Sequence, residues 1–201
     1  MLKGVMMKKI LIILFLLVLG GNITMAKVVS NEKIDNQKVS VAYKILSDLQ
    51  LDVEKVTNQG KGPFVAAIYD SQGNLIVKTS NSVVEGCCSN NHAEMNAIRM
   101  AEEKLGTYDL SKYNLKLYVT SEPCMMCLGG IMWSGIKEVY YGVPSKRVEE
   151  ITGFDEGFKP NWFNEFKKRG IIVYGNIGLE EGEMALDNYV KAGKTIYKPN
   201  R

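Results

Sequence analysis

The chain has 201 residues, 46% of them hydrophobic, with 25 basic and 22 acidic side chains and one histidine. That length accommodates one domain with a well-buried core. The even composition, free of low-complexity runs and internal repeats, excludes fibrous, solenoid and disordered classes.

The first 26 residues differ in kind from the rest. Lys3, Lys8 and Lys9 form a positive start, Ile10 to Leu19 is an unbroken apolar block, and Thr24-Met25-Ala26 ends in small residues. This order predicts a secretory signal peptide over 1–26, cleaved near Ala26, and a periplasmic or secreted protein. The block is shorter than the about 20 residues a bilayer span requires, so no permanent membrane association is expected. Residues 1–26 carry three lysines and no acid, so 27–201 hold 22 charges of each sign (25 minus 3, against 22) and a net charge of zero. Phosphate contacts dominate nucleic-acid affinity and leave a basic footprint, so this balance disfavours a polynucleotide partner.

A polar spacer follows over 27–37, and 38–201 read as one domain with no internal linker. Val41, Ile45, Leu49 and Leu51 approach helical spacing within Val39–Val56. Asn58 to Pro63 is a loop, Phe64–Tyr69 a strand, Asp70–Asn74 a hairpin turn and Leu75–Val77 its partner strand. A helix is expected from His92 to Leu105, a strand over Leu115–Val119, and a helix opening at Cys124. Val139–Tyr141 and Ile171–Tyr174 read as strands, Gly153–Arg169 as a mixed aromatic-rich segment, and Glu180–Ala192 as a closing helix. Strands alternating with helices predict an α/β sheet covered by helices.

Two short motifs carry chemistry: His92-Ala93-Glu94 and Pro123-Cys124-Met125-Met126-Cys127. His92 is the only histidine and lies 32 residues before Cys124. Each motif opens a predicted helix, whose positive N-terminal end favours thiolate over thiol. Three protein ligands, His92, Cys124 and Cys127, leave the fourth tetrahedral position of a zinc ion open, as catalytic zinc requires. A closed structural site would need Cys87 or Cys88, only four or five residues from His92; these two read as free buried thiols. Glu94 suits an acid–base role beside the metal, and Asn91 with Glu94 also has the spacing of a helix capping box.

Histidine-x-glutamate followed by proline-cysteine-x-x-cysteine is the signature of zinc nucleobase deaminases, and the chain resembles the cytidine deaminase superfamily. The resemblance runs from about Val39 to Tyr197 and is strongest toward its guanine deaminase and tRNA adenosine deaminase branch. It rests on Gly62-Pro63-Phe64, Asn81, His92 to Arg99, Leu117 to Cys127 and Val139-Tyr140-Tyr141-Gly142. It implies a three-layer α/β/α sandwich around a five-stranded mixed sheet, and one zinc ion per chain held by His92, Cys124 and Cys127. The implied activity is hydrolytic deamination, with Glu94 moving protons between water, ring and departing ammonia.

Trp133, six residues after Cys127, and Gly153-Phe154-Asp155-Glu156-Gly157-Phe158 resemble the guanine-deaminase members. They imply a small purine base as substrate and guanine conversion to xanthine. Asn81, Phe64, the Ala93 backbone N–H, Trp133, Asp155 or Glu156, and Tyr197 are the implied base-binding residues, and a homodimer is the implied assembly. Other bases or nucleosides, adenosine in tRNA, and a zinc-stabilised binding protein without catalysis are the competing readings. The chain departs from the family at Cys88-Ser89-Asn90-Asn91, where Asp-Pro-Thr usually precedes the histidine.

Overall fold

The computed structural model describes residues 27–198; the signal-peptide expectation for 1–26 lies outside the described residues. A two-residue strand β1 (Val29–Ser30) precedes helix α1 (Asn36–Thr57), the hairpin β2 (Val65–Tyr69) and β3 (Leu75–Ser80), and helix α2 (Ala93–Leu105). Strand β4 (Lys116–Ser121), α3 (Met125–Ser134), β5 (Glu138–Val143), α4 (Ser145–Thr152), α5 (Trp162–Lys168), β6 (Ile172–Gly175) and α6 (Leu179–Lys191) complete the chain.

The strands form one mixed sheet in the order β1-β6-β5-β4-β2-β3. β4, β5 and β6 run parallel, while β2 is antiparallel to both β3 and β4, and β1 is antiparallel to β6. The sheet therefore has six strands where five were expected. The extra one lies in the presumed spacer, where Val29 and Ser30 pair with Gly175 and Tyr174 at an edge. Asn31 holds it there: its side-chain amide donates to the Ile171 carbonyl at 2.9 Å and its oxygen accepts from the Val173 N–H at 2.9 Å.

The central strands are buried on both faces, so their residues sort by a period of two into two cores. Ala66, Ile68, Leu117, Val119, Val139, Tyr141 and Val173 face α2, α3 and α5. Val65, Ala67, Tyr118, Tyr140 and Tyr174 face α1. Tyr118, Tyr140 and Tyr174 are register partners on adjacent strands. Their rings stack in a ladder, with centroids 4.7 and 5.2 Å apart and planes within 10° of parallel. Such cross-strand aromatic pairs add stabilisation beyond the area they bury.

Helix α1 begins three residues before the expected Val39, because the Asp35 carboxylate accepts from the Gln37 and Lys38 N–H groups and caps it. Its inward stripe is Ala42, Leu46, Leu49 and Val53, at helical spacings of four, three and four. The expected stripe was rotated, since Val41 is 50% and Leu51 68% exposed. Helix α4 was not anticipated; only Ser145, Val148 and Thr152 of its eight residues are buried. Helix α6 packs along α1 and against α4. No helix among the described residues is long and apolar enough to cross a membrane.

Candidate active site

In open α/β sheets ligands bind beyond the carboxyl ends of the parallel strands, and both chemical motifs converge there. The chain leaves β4 through Glu122-Pro123 and turns into α3, tied to the end of β5 by the Glu122 N–H bonding the Val143 carbonyl at 2.8 Å. Cys124 is the N-cap residue of α3 and His92 the N-cap residue of α2, both in extended conformation and neither side chain capping its helix. Both side chains are thereby free to ligate at the positive ends of two helices that pack together.

The Cys124 Sγ lies 3.5 Å from His92 Nδ1 and 3.6 Å from the Cys127 Sγ, and the three donor atoms fall within 4.8 Å of one another. Tetrahedral zinc, with bonds of about 2.3 Å to sulfur and about 2.0 Å to nitrogen, separates its donors by about 3.8 Å (sulfur to sulfur) and about 3.5 Å (sulfur to nitrogen). The residues fit the ion. The hydrogen bond from the Cys127 thiol, with help from His92, holds Cys124 down at about 4 despite burial. The same bond and burial push Cys127 up. Both thiols must be deprotonated to hold a dication, so metal binding would release their protons.

Glu94 is 5% exposed in the first turn of α2. Burial, augmented by the Cys124 charge and opposed by His92, pushes it up to about 7. The expected capping box does not form, because the extended backbone at His92 starts the helix one residue later than an Asn91 cap would. Asn91 instead uses its carbonyl to accept from the Ser82 N–H at 2.9 Å. Cys87 and Cys88 are exposed rather than buried, since they lie on the turn after β3.

A cavity of about 440 Å³ opens on His92, Glu94 and Cys124. Phe64 and Phe154 meet edge to face in its wall, with centroids 5.3 Å apart. Asn81 is fully buried; its amide donates to the Tyr197 hydroxyl at 2.5 Å and its oxygen accepts from the Val83 N–H at 3.2 Å. The Tyr197 ring in turn packs 4.9 Å from Phe154 and 6.4 Å from His92. Gly62 makes this closure possible, because a Cβ there would meet the Asn81 Oδ1 at 2.7 Å and the Tyr197 ring at 3.2 Å.

Asp155 and Glu156 both line the cavity but differ in setting. Asp155 is exposed and its carboxylate accepts from the Gly157 N–H at 3.0 Å. The Glu156 side chain is only 10% exposed. Burial first, against the pull of Lys159, and then the Cys124 and Glu94 charges push it up to about 8.

Ala93 is wholly buried as the first residue of α2 and is not part of the cavity wall. Trp133 is not part of it either. It faces outward near the end of α3 with 90% of its surface exposed, so the sequence placed it at the base pocket and the structure does not. Glu122 and Phe154 line the cavity without having been singled out, although both lie inside segments that carried the resemblance.

A buried acid beside a three-ligand metal site with an open position is the arrangement of a hydrolytic zinc centre. Comparison with known proteins then gives the family. A family model described as the cytidine and deoxycytidylate deaminase zinc-binding region matches residues 37–143, and the chain belongs to that family. It is 40% identical over 97 residues to a guanine deaminase of Bacillus subtilis, across 48% of this chain and 60% of that one. It is 32% identical over 127 residues to a tRNA-specific adenosine deaminase of Buchnera aphidicola, across 63% and 80% of the two chains. A solved structure of a guanine deaminase from Nitrosomonas europaea superposes with a TM-score of 0.69 at 36% identity, covering 72% of this chain and 81% of that one. The chain thus spans less than two thirds of the Bacillus relative.

Replacing a direct ligand should cost more than the about 10- to 100-fold in affinity typical of groups that only support one. Cys124→Ser is therefore expected to emerge from gel filtration without zinc, and Glu94→Gln with close to one zinc per chain, both measured by metal analysis. A full zinc equivalent in Cys124→Ser would refute the ligand set.

Proposed function

We propose that the protein is a zinc-dependent guanine deaminase that hydrolyses guanine to xanthine and ammonia. The observation that carries the substrate is the pair of buried carboxyl groups, Glu94 and Glu156, on one cavity with His92 and Cys124. Guanine presents two adjacent donors, the N1–H and the 2-amino group. Adenine and cytosine each present an acceptor nitrogen beside the amine instead. Ionised, as a dication on the neighbouring ligands would favour, the two carboxylates accept from both guanine donors, whereas against adenine or cytosine a carboxylate oxygen would face an acceptor nitrogen, the kind of mismatch that discriminates strongly.

When bound, zinc supplies the Lewis acidity that makes water a nucleophile near neutral pH. The rest falls to side chains. Glu94 takes one proton from water and passes it to ring N3 as the hydroxyl adds to C2, then takes the second from that hydroxyl and passes it to the 2-amino group, which leaves as ammonia when the C2–N bond breaks; the role suits an acid raised toward neutrality. Glu156 accepts from the N1–H and fixes the orientation of the base. Phe64 and Phe154 bound the space for the ring. Asn81 and Tyr197 close the cavity around the far edge and exclude water. Asp155, exposed at the mouth, is left to shape the loop.

The similarity to tRNA-specific adenosine deaminases favours adenosine in tRNA as the second reading. The equal charge counts over 27–201 weigh against it, since they leave no basic excess for phosphates. An ammonia-release assay over guanine, adenine, cytosine, their nucleosides and tRNA decides between them. Guanine is expected to be fastest, and Glu94→Gln to lower its kcat by about 10²- to 10⁴-fold. An inert guanine beside a reactive second substrate would overturn the assignment and leave the chemistry standing.

The assembly we propose is a homodimer through α3. Met125, Gly129 and Trp133 recur at four-residue spacing and so share one face of that helix. Met125 is 43% and Trp133 90% exposed on it, and no atom lies within 4 Å of a side chain built at Gly129. Phe158, 81% exposed, follows Gly157, whose position lies beside Met125. A second copy covers such an apolar stripe without an exposed penalty. Sedimentation should show a dimer that Trp133→Glu dissociates; a wild-type monomer at micromolar concentration would refute it.

A further inference from the structure

The segment between α4 and α5 buries a cation that the proposed reaction does not use. The Lys159 side chain is 8% exposed, and its ammonium lies 3.5 Å from Glu156 Oε2 and 3.7 Å from Glu122 Oε1. It also donates a hydrogen bond to the Ser145 hydroxyl. Lysine is almost never this buried unless it is paired. Its two acidic neighbours both line the cavity.

One of those neighbours is fixed independently. The indole N–H of Trp162 donates to Glu122 Oε1 at 3.0 Å, and the Ser145 N–H donates to Glu122 Oε2 at 2.9 Å. Glu122 is thus tied to the start of both α4 and α5, whereas the Glu156 carboxylate makes no hydrogen bond among the described residues. Its backbone is held, by its N–H bonding the Glu149 carboxylate at 3.2 Å, but the charged end relies on the ammonium. Without Lys159, Glu156 would lose the ammonium beside it in a poorly solvated wall that already holds Glu94 and Cys124, and its carboxyl group would protonate or turn toward solvent.

We propose that Lys159 is a positioning residue: anchored on Glu122 and Ser145, it holds the Glu156 carboxylate at the cavity wall and so sets how well the site grips its substrate. The inference rests on the reading of Glu156 as the group that accepts from the base. Lys159 itself touches no reacting atom.

A double-mutant cycle on the zinc-loaded full chain tests it, with Lys159→Met, Glu156→Gln and the two combined, alongside Lys159→Arg. Ammonia release from guanine is followed, or from whichever base the wild type turns over fastest. A failure of the guanine assignment is thereby seen in the wild type and leaves the cycle readable. Lys159→Met is expected to lower kcat/KM about tenfold, mainly through KM, with zinc content unchanged. Lys159→Arg should restore activity to within about threefold of wild type. In the Glu156→Gln background the loss of Lys159 should cost less than about twofold. Additive losses in the double variant would overturn the proposal, as would a Lys159→Met enzyme with wild-type KM or a Lys159→Arg enzyme as poor as Lys159→Met. If Lys159→Met fails to fold, Lys159→Gln, which can still donate to Ser145, takes its place in the same cycle.

Discussion

Two stretches of chain that are 32 residues apart must deliver three soft donors into one tetrahedron about 4 Å across, and most of the molecule serves that constraint. The solution is to start two helices side by side and use their N-cap residues, His92 and Cys124, as ligands. An N-cap position has extended backbone and a side chain that points away from its own helix, so the donors converge while the helix ends add positive potential. The cost is the loss of the usual capping bond at both helices. The parallel sheet below holds the helix starts in register, because β4 and β5 end beside each other and pin the Glu122 N–H.

The same geometry explains why two carboxyl groups are raised in one small volume. Glu94 enters from the first turn of α2 and Glu156 from the loop after α4, and both meet the partial negative charge of Cys124 in a buried setting. Burial is the largest contribution for each. A dication on the sulfurs and imidazole opposes that shift, since the ion is the largest local charge in such a site. Proton transfer and recognition of a donor-rich base edge then use two acids distinguished by their surroundings: one beside the metal ligands, the other facing a buried lysine.

The metal site was legible in the sequence because its chemistry admits few residue types at few spacings. His92, Glu94, Cys124 and Cys127 announced it, and the long apolar strand runs made the α/β class readable. What failed depended on direction or on distant contact. Trp133 sits at the right position in the chain, yet it lies two turns along α3 from the cavity-lining Met125, near the far end of the helix, and is 90% exposed to solvent. The Asn91–Glu94 spacing fitted a capping box, but His92, in extended backbone, takes the N-cap position instead. Helix α4 escaped because its polar sequence buries little, and β1 because two residues carry no periodicity. Glu122, Ser145, Lys159 and Trp162 meet only through the packing of α4 and α5 against the end of the sheet, which no local pattern reports.

The most direct measurement strips the purified protein of metal with a chelator and follows ammonia release from guanine as zinc is returned. Activity should be absent in the stripped protein and rise in proportion to added zinc, reaching its plateau at one ion per chain. Full activity without metal, or a plateau unrelated to zinc bound at His92, Cys124 and Cys127, would contradict the account.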